Sequence, residues 1–368
     1  MSLIRPLERA DLPEVAQLYE LVARSGRSTP APGLAPYFER VLLDQPWADP
    51  EIPSLVHLDE DGAIVAFQGS SVRRARFDGR LIKIACAGQL VAHPAARHRA
   101  VGALLLRAYL GGVQALTITD TASDQMRQIW TLCGGEMVHA ACIEWLRVLR
   151  PLGSAEWYLR ERRKAWPRPR AGRLLGALDA AATSTIGLVS PPPAPDTSAQ
   201  PLTSRGLVEH LPLIGDHVRL HLDYDERFVS WLFDQLDAVG GLGTPVAHLV
   251  REPGGRVLGW YVYLFAPRGV SQVLQVAAAD RDVGRVLDHL LYDAWASGTV
   301  AVRGRIEPRL LQALSSRRCA LRYAGPLALA HSRDVQLLGA IASGRALLTR
   351  LDGEWWIQDL EVDLGAPV

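Results

Sequence analysis

The feature that most constrains the fold of this 368-residue chain is that its second half echoes its first, segment by segment. "YFERVLLDQ" from Tyr37 returns as "YDERFVSWLFDQ" from Tyr224. "PSLVHLDEDGAIVAF" from Pro53 returns as "PVAHLVREPGGRVLGW" from Pro245, and "AVGALLLRAYL" from Ala100 has a weaker echo in "DVGRVLDHLLYDAW" from Asp282. Three matches in one order point to a tandem duplication of a domain-sized unit. The chain is long enough for two such units, each burying its own core. A 48% hydrophobic and 21% charged composition suits a soluble globular protein.

The first copy reads as a mixed α/β domain over residues 1–150. A short strand "SLIRP" precedes a helix that Asp11 and Glu14 are spaced to cap, with Val15, Leu18, Tyr19 and Val22 on one face. Strands "PSLVHL", "AIVAFQGSSVRRARF" and "LIKIACAGQLVA" are separated by Asp/Gly turns, which is hairpin chemistry. After the stretch from His93 to Leu110 come a strand "ALTITD", a helix near "SDQMRQIWTLC", a Gly134-Gly135 stop and a last strand "MVHAACIEWLRVL". Residues 151–205 read as a connector: "RERRKAWPRPRAGR" is basic and broken by prolines, and "SPPPAPDTSAQP" is a linker by composition. Residues 206–368 form the second copy.

Several function classes are disfavoured. The net charge of +1 offers no field for nucleic acid or a membrane surface. The basic residues are nearly all arginine, with Lys83 and Lys164 the only lysines, a matter of genome composition. Cys86, Cys133, Cys142 and Cys319 form no CxxC pair and no zinc spacing, and read as buried thiols of a reducing compartment. The start "MSLIRPLERADLPEV" lacks a signal peptide's apolar core. The most apolar run, "LLGALDAAATSTIGLV", is interrupted by Asp179 and two glycines, so no membrane span is expected. A cytoplasmic protein is the expectation.

Chemistry concentrates in "HPAARHRAVGALLLRAYL", where a strand turns directly into a helix. Helix starts expose unpaired backbone N–H groups, and small residues let an anion approach them. Ala100, Val101, Gly102 and Ala103 supply such a start, and Arg97 and Arg99 a cationic rim suited to a polyphosphate. An ordinary strand–helix turn with solvated arginines explains the stretch equally well.

The motifs around it resemble those of the GCN5-related N-acetyltransferase (GNAT) superfamily. The strand "LVAHP" and loop "RHRAVG" match its L-x-V-x-P strand and Q/R-x-x-G-x-G/A loop, with Ala100 in place of the first glycine. "SDQMRQIWTLCGG" matches a second motif, with Ser123 in the place of an asparagine and Trp130 in that of a tyrosine. The resemblance covers residues 2–149 and implies two tandem GNAT-like acyl-CoA N-acyltransferase domains with acetyl-CoA as co-substrate. It implies that amides from His98 to Ala103 cradle the pyrophosphate, that Leu90, Val91 and Ala92 pair with the pantetheine arm, and that a backbone N–H there polarises the acyl carbonyl. The acceptor amine, of an unidentified small molecule or sugar, then attacks directly, and Cys133 and Cys142 need no nucleophilic role.

Two departures bear on catalysis. Trp130 is a poor acid where a tyrosine would protonate the leaving thiolate, and Gly88 and Gln89 stand where a strand carboxylate is common. Candidate bases are His93 at the strand end, then Asp120 and Asp124. The plainer roles are a polar turn residue for His93 and helix capping for the two aspartates. In the second copy "DRDVGRVLDHL" places acids where phosphate needs N–H groups, so this copy is expected to bind CoA badly and to shape the acceptor cleft or a homodimer. "GEWWIQD" could line an acceptor site, though Trp355 and Trp356 more simply alternate across a strand. The competing readings are a non-catalytic CoA-binding or interaction protein and, third, aminoacyl transfer from charged tRNA.

Overall fold

The computed structural model describes residues 3–24, 26, 29–162, 191–215, 217–238, 242–323 and 325–357, without the side chains of 97–99 and 160–162. In chain order the strands are β1 (Leu3–Pro6), β2 (Leu55–Leu58), β3 (Ile64–Phe77), β4 (Arg80–Ala92), β5 (Leu116–Ala122), β6 (Glu136–Met137), β7 (Ile143–Val148) and β8 (Ser198–Pro201). They continue as β9 (Leu220–Leu222), β10 (Thr244–Arg251), β11 (Val257–Phe265), β12 (Val270–Ala278), β13 (Ala301–Arg305), β14 (Ala320–Tyr323), β15 (Leu327–His331) and β16 (Ala346–Leu347). The helices are α1 (Leu12–Ala23), α2 (Leu34–Phe38), α3 (Val101–Leu110), α4 (Asp124–Leu132), α5 (Pro151–Arg162), α6 (Ser204–His210), α7 (Glu226–Ala238), α8 (Val283–Ala296), α9 (Leu311–Ser316) and α10 (Val335–Ala342).

Two compact units result, and neither is a contiguous stretch. The first comprises Met1–Cys142, His217–Gly241 and Gly325–Val368; the second comprises Ile143–Asp216 and Leu242–Ala324. The first sheet runs β1-β2-β3-β4-β5-β15-β6, with β9 and β16 attached beside β3; the second runs β14-β7-β13-β12-β11-β10-β8. Read from opposite ends, the two orders match position for position, as a duplicated unit requires. The strand at 143–148 does not close the first sheet, as the contiguous reading supposed. It inserts between β13 and β14, with Ala301 opposite Val148 and Ala320 opposite Leu146. The same slot of the first sheet, between β5 and β6, is taken by β15. Alternating apolar residues mark a strand's buried face but not which sheet it joins.

Local chemistry explains the elements of the first unit. Asp78 and Gly79 both have positive φ, 49° and 78°, the geometry a two-residue turn needs to join twisted strands, and they connect β3 to β4. Gly134, at φ 87°, ends α4 while Gly135 N–H donates to Trp130 O at 2.7 Å. The start of α1 differs from the Asp11/Glu14 expectation. Glu8 and Asp11 form the capping box one 3-10 turn earlier, and Glu14 accepts from Ile64 N instead, at 2.7 Å. The core between the sheet and α3 and α4 holds Val72, Ala85, Leu106, Tyr109, Trp130 and Leu329.

Part of the compositional linker is structured: Ser198–Pro201 forms edge strand β8 against β10, a place where proline is tolerated because one edge faces outward. The rest of the basic connector, and "LLGALDAAATSTIGLV", lie outside the described residues. Among the described residues no helix is long and apolar enough to cross a membrane.

Candidate active site

The site of the first unit begins with a strand that changes edges. β4 and β5 run parallel but pair only from Ile84 opposite Leu116 to Cys86 opposite Ile118. Beyond Cys86 the two strands part into a fork. Just past that point Gln89 adopts φ 51°, and the β3–β4 register shifts. This is a β-bulge, which reverses the direction in which alternate backbone groups point. Before it, Lys83 C=O faces β5, accepting from Ala115 N at 3.0 Å; after it, His93 N–H faces β3, donating to Val65 O at 2.8 Å. Alternation then turns the backbone groups of Leu90 and Ala92 into the open fork. The bulge is locked by Gln68, buried at 1% exposure, whose Nε2 donates to Gly69 O and Gly88 O, each at 2.8 Å. Gly69 has no space for a Cβ, which would meet the Gln89 side chain and Gly88 O.

Helix α3 starts against the end of β4. A Cβ at Gly102 would meet only Ala92 Cβ, at 3.7 Å, so small residues bring the helix start next to the strand end. Ala100 is left-handed, at φ 54° and ψ 26°. The position at which the resembled motif carries glycine is therefore one whose backbone favours glycine, and the alanine costs about 1 kcal/mol there. Ala103 N–H donates to Ala100 O at 3.0 Å, so within the first turn of α3 it is the amides of Val101 and Gly102 that have no helical acceptor by position, and no acidic residue occupies that turn.

At the point where the strands part, the chain returns from far downstream. The turn at 351–357 is bonded to all three central strands. Arg73 of β3, fully buried, donates Nε–H to Asp352 O at 3.0 Å, and Cys86 Sγ of β4 lies 3.6 Å from the same oxygen. Asp120 of β5 accepts from Glu354 N at 3.0 Å and Trp355 N at 2.9 Å. The Glu354 carboxyl, 3% exposed, accepts at Oε1 from the hydroxyls of Thr119 and Thr121, the latter at 2.9 Å. Burial, then the neighbouring Asp120, pushes it up to about 8. Asp352 is also raised by burial, although Tyr224 OH and both Thr349 donors bond its carboxyl.

The expected residues separate on this frame. Leu90, Val91 and Ala92 line β4 beyond the bulge. Ala100, Val101, Gly102 and Ala103 form the helix start, and the side chains of Arg97, His98 and Arg99 lie outside the described set. His93 sits one residue past β4, and its Nδ1 accepts from Ala95 N at 3.3 Å, a local turn contact. Asp124 is exposed on the first turn of α4 and ion-paired with Arg127 at 2.9 Å, which holds its carboxyl low. Ser123 caps that helix, accepting from Met126 N at 3.2 Å. Asp120, expected as a base or a cap, does not cap α4 but anchors the returning turn. Trp130 is 2% exposed within the core beside Tyr109 and Cys142. Burial pushes the Cys86 thiol up to about 12 and raises Cys133, so neither is an activated nucleophile.

Sequence reasoning missed Arg73, Thr119 and Thr121, and saw Glu354 only as one of the acids of "GEWWIQD". Its described part, 353–357, is a turn rather than a strand: Trp356 is buried, donating Nε1–H to Leu351 O at 3.2 Å, and Trp355 lies under the Arg350 guanidinium at 4.5 Å.

The second unit carries its own fork, since β12 and β13 pair only from Val270/Ala301 to Val273/Gly304. Here Arg309, its side chain 5% exposed and ion-paired with Glu307 at 2.9 Å, donates to the β12 carbonyls of Val276 and Ala278. Asp282, before α8, is bound by Arg256 at 2.8 Å. A guanidinium thus satisfies two carbonyls at the strand edge of this fork.

No family model matches this chain, and no curated protein matches it in sequence. Solved structures do match. A conserved protein of unknown function from Enterococcus faecalis V583 aligns over 91% of this chain and 73% of its own, at 11% identity and TM-score 0.58. A GCN5-related N-acetyltransferase from Anabaena variabilis covers 91% and 74% at 9% identity and TM-score 0.57. The N-myristoyltransferase of Saccharomyces cerevisiae, with bound myristoyl-CoA, covers 89% and 81% at 11% identity and TM-score 0.50. At this level of identity the likeness is one of fold, and the chain has the fold of the GCN5-related N-acetyltransferases.

Proposed function

We propose that this chain is an acyl-CoA-dependent N-acyltransferase that moves an acetyl group from acetyl-CoA to the amine of a small molecule or sugar, using its first unit. The observation that carries this reading is the bulge at Gln89, which turns Leu90 and Ala92 into the open fork directly beside the start of α3. A pantetheine arm is an extended chain of amides, and an unpaired strand edge is the surface that pairs with it. In this reading the amides from His98 to Ala103 hold the pyrophosphate, where the helix dipole and the lack of first-turn acids favour negative charge. Leu90 N–H donates to the thioester carbonyl, stabilising the oxyanion as the amine attacks. The second unit takes no CoA, because Arg309 occupies its fork and Asp282 stands before its helix.

Isothermal titration with acetyl-CoA tests this reading. Wild type should bind, and Gly102→Asp should not, since the position has room for a Cβ and the change places a carboxylate at the phosphate site. No binding by wild type, or undiminished binding by the variant, refutes it. The burial of Trp130 favours a second reading, a non-catalytic acyl-CoA-binding protein. CoA release in the presence of grouped amines separates the two.

A further inference from the structure

The proposed reaction lacks a proton carrier: no tyrosine stands at Trp130, and His93 and Asp124 are engaged in local contacts. The fork contains one. Thr119 and Thr121 hold Glu354 Oε1, while Oε2 is enclosed and has no hydrogen-bond partner among the described residues. An orphaned carboxyl oxygen is costly unless something else uses it. We propose that Glu354 is the proton-transfer residue of this site, taking a proton from the acceptor amine at Oε2 and returning it to the CoA sulfur. The inference rests on the acyl-CoA reading.

The acceptor nitrogen donates its lone pair to the thioester carbonyl carbon, and the C–N bond forms. One N–H proton passes to Oε2. The C–S bond then breaks with its electron pair on sulfur, and the carboxyl gives that thiolate the same proton. Amide and free thiol leave, and the carboxylate is restored. A carboxyl held near 8 is matched to this exchange, because a thiol's ordinary value is about 8.5. The charged and titratable groups around it are consistent with such tuning. Asp120 on β5 raises it, Tyr19 on α1 and Tyr109 on α3 are themselves raised in part by it, and Cys86 on β4 lies within its field. Arg73 on β3 bonds the same turn through Asp352 O, so its charge offsets the acids without pairing with Glu354.

The test uses the full chain labelled with 13C at the glutamate carboxyls, the Glu354 signal being the one lost in Glu354→Gln. That signal should titrate several pH units above the other glutamates, and its midpoint should move by ~0.5 pH or more when acetyl-CoA binds. In parallel, CoA release with spermidine, glucosamine and a lysine peptide should fall ~100-fold in kcat for Glu354→Gln, with little change in KM for acetyl-CoA and loss of the rising limb of the pH profile. If Glu354→Gln does not fold, Thr121→Val serves: removing one donor to Oε1 should shift the Glu354 midpoint upward. A signal indifferent to acetyl-CoA, or a glutamine variant with wild-type kcat and pH profile, overturns the proposal. If wild type does not bind acetyl-CoA in the calorimeter, the acyl-CoA reading has failed first, whatever the titration of Glu354.

Discussion

Replacing Glu354 with glutamine should make the first unit more stable at neutral pH. In the folded chain the carboxyl is held near 8, against 4.5 for an ordinary glutamate. A folded-state value above the unfolded one means that the contribution is fully present below about pH 4.5 and is lost as pH rises through 8. At pH 7 an unfolded glutamate is ionised and solvated, whereas the buried one must remain mostly protonated. The difference, about 2.5 pH units at 1.4 kcal/mol each, is on the order of 3 kcal/mol. Glutamine keeps the neutral shape and an oxygen for the Thr119 and Thr121 hydroxyls without this penalty. For a unit of this size each kcal/mol moves the melting temperature by ~2–4 °C. Thermal melts of wild type and Glu354→Gln from pH 5 to pH 8 should therefore diverge, the variant gaining ~2–3 kcal/mol relative to wild type between pH 5 and pH 7. Groups that do not interact with Glu354 are common to both proteins and cancel in the difference, and Tyr19, Tyr109 and Cys86, which do, titrate above this pH range. A gap that stays constant with pH, or a variant that is less stable at pH 7 than at pH 5 relative to wild type, would refute a buried neutral carboxyl at this position.

Three further changes probe the surrounding frame. Ala100→Gly should stabilise the first unit by ~0.5–1 kcal/mol, read from urea midpoints, because the relief of a left-handed alanine exceeds the entropy cost of glycine. Gln68→Leu should cost ~2–3 kcal/mol and weaken acetyl-CoA binding together, since it strips two buried carbonyls of their donor and frees the bulge. Arg309→Met should cost the second unit ~3 kcal/mol in denaturant unfolding by removing the ion pair to Glu307 and the donor to two strand carbonyls, with acetyl-CoA affinity unchanged.

Much of the frame was legible because it is local. Asp78-Gly79 and Gly134-Gly135 mark turns through backbone requirements that no distant residue alters, and the echo of "YFERVLLDQ" in "YDERFVSWLFDQ" announces duplication without any structure. The exchange of β7 and β15 was not legible. Both are short, largely apolar strands, six and five residues long, and nothing within such a run names the sheet it joins. Ala100 shows a third case: the sequence departs from the motif at a position whose geometry departs from what alanine prefers, so the mismatch is visible but its cost is not.

The acids of the site show why chemistry was harder to read than fold. Asp120 and Asp124 stand four residues apart in similar company, and sequence reasoning weighed them alike. The structure separates them by solvent: Asp124 is exposed beside Arg127, and Asp120 is buried against two amides supplied from 234 and 235 residues downstream. What decides whether a carboxyl can carry a proton is desolvation and the charge beside it, and both arrive through chain return rather than through neighbours in sequence. The two forks make the same point from opposite directions. Each opens where a parallel strand pair ends, and in each a side chain from later in the chain comes to the strands that part. In the second unit it is the permanently charged Arg309, which satisfies the carbonyls and closes the edge. In the first it is Glu354, whose Oε2 has no partner among the described residues and whose carboxyl burial pushes up to about 8. A duplication that needed only stability would gain by satisfying both forks. Retaining an orphaned, titratable oxygen in one of them is a stability cost that the reaction proposed for it would explain.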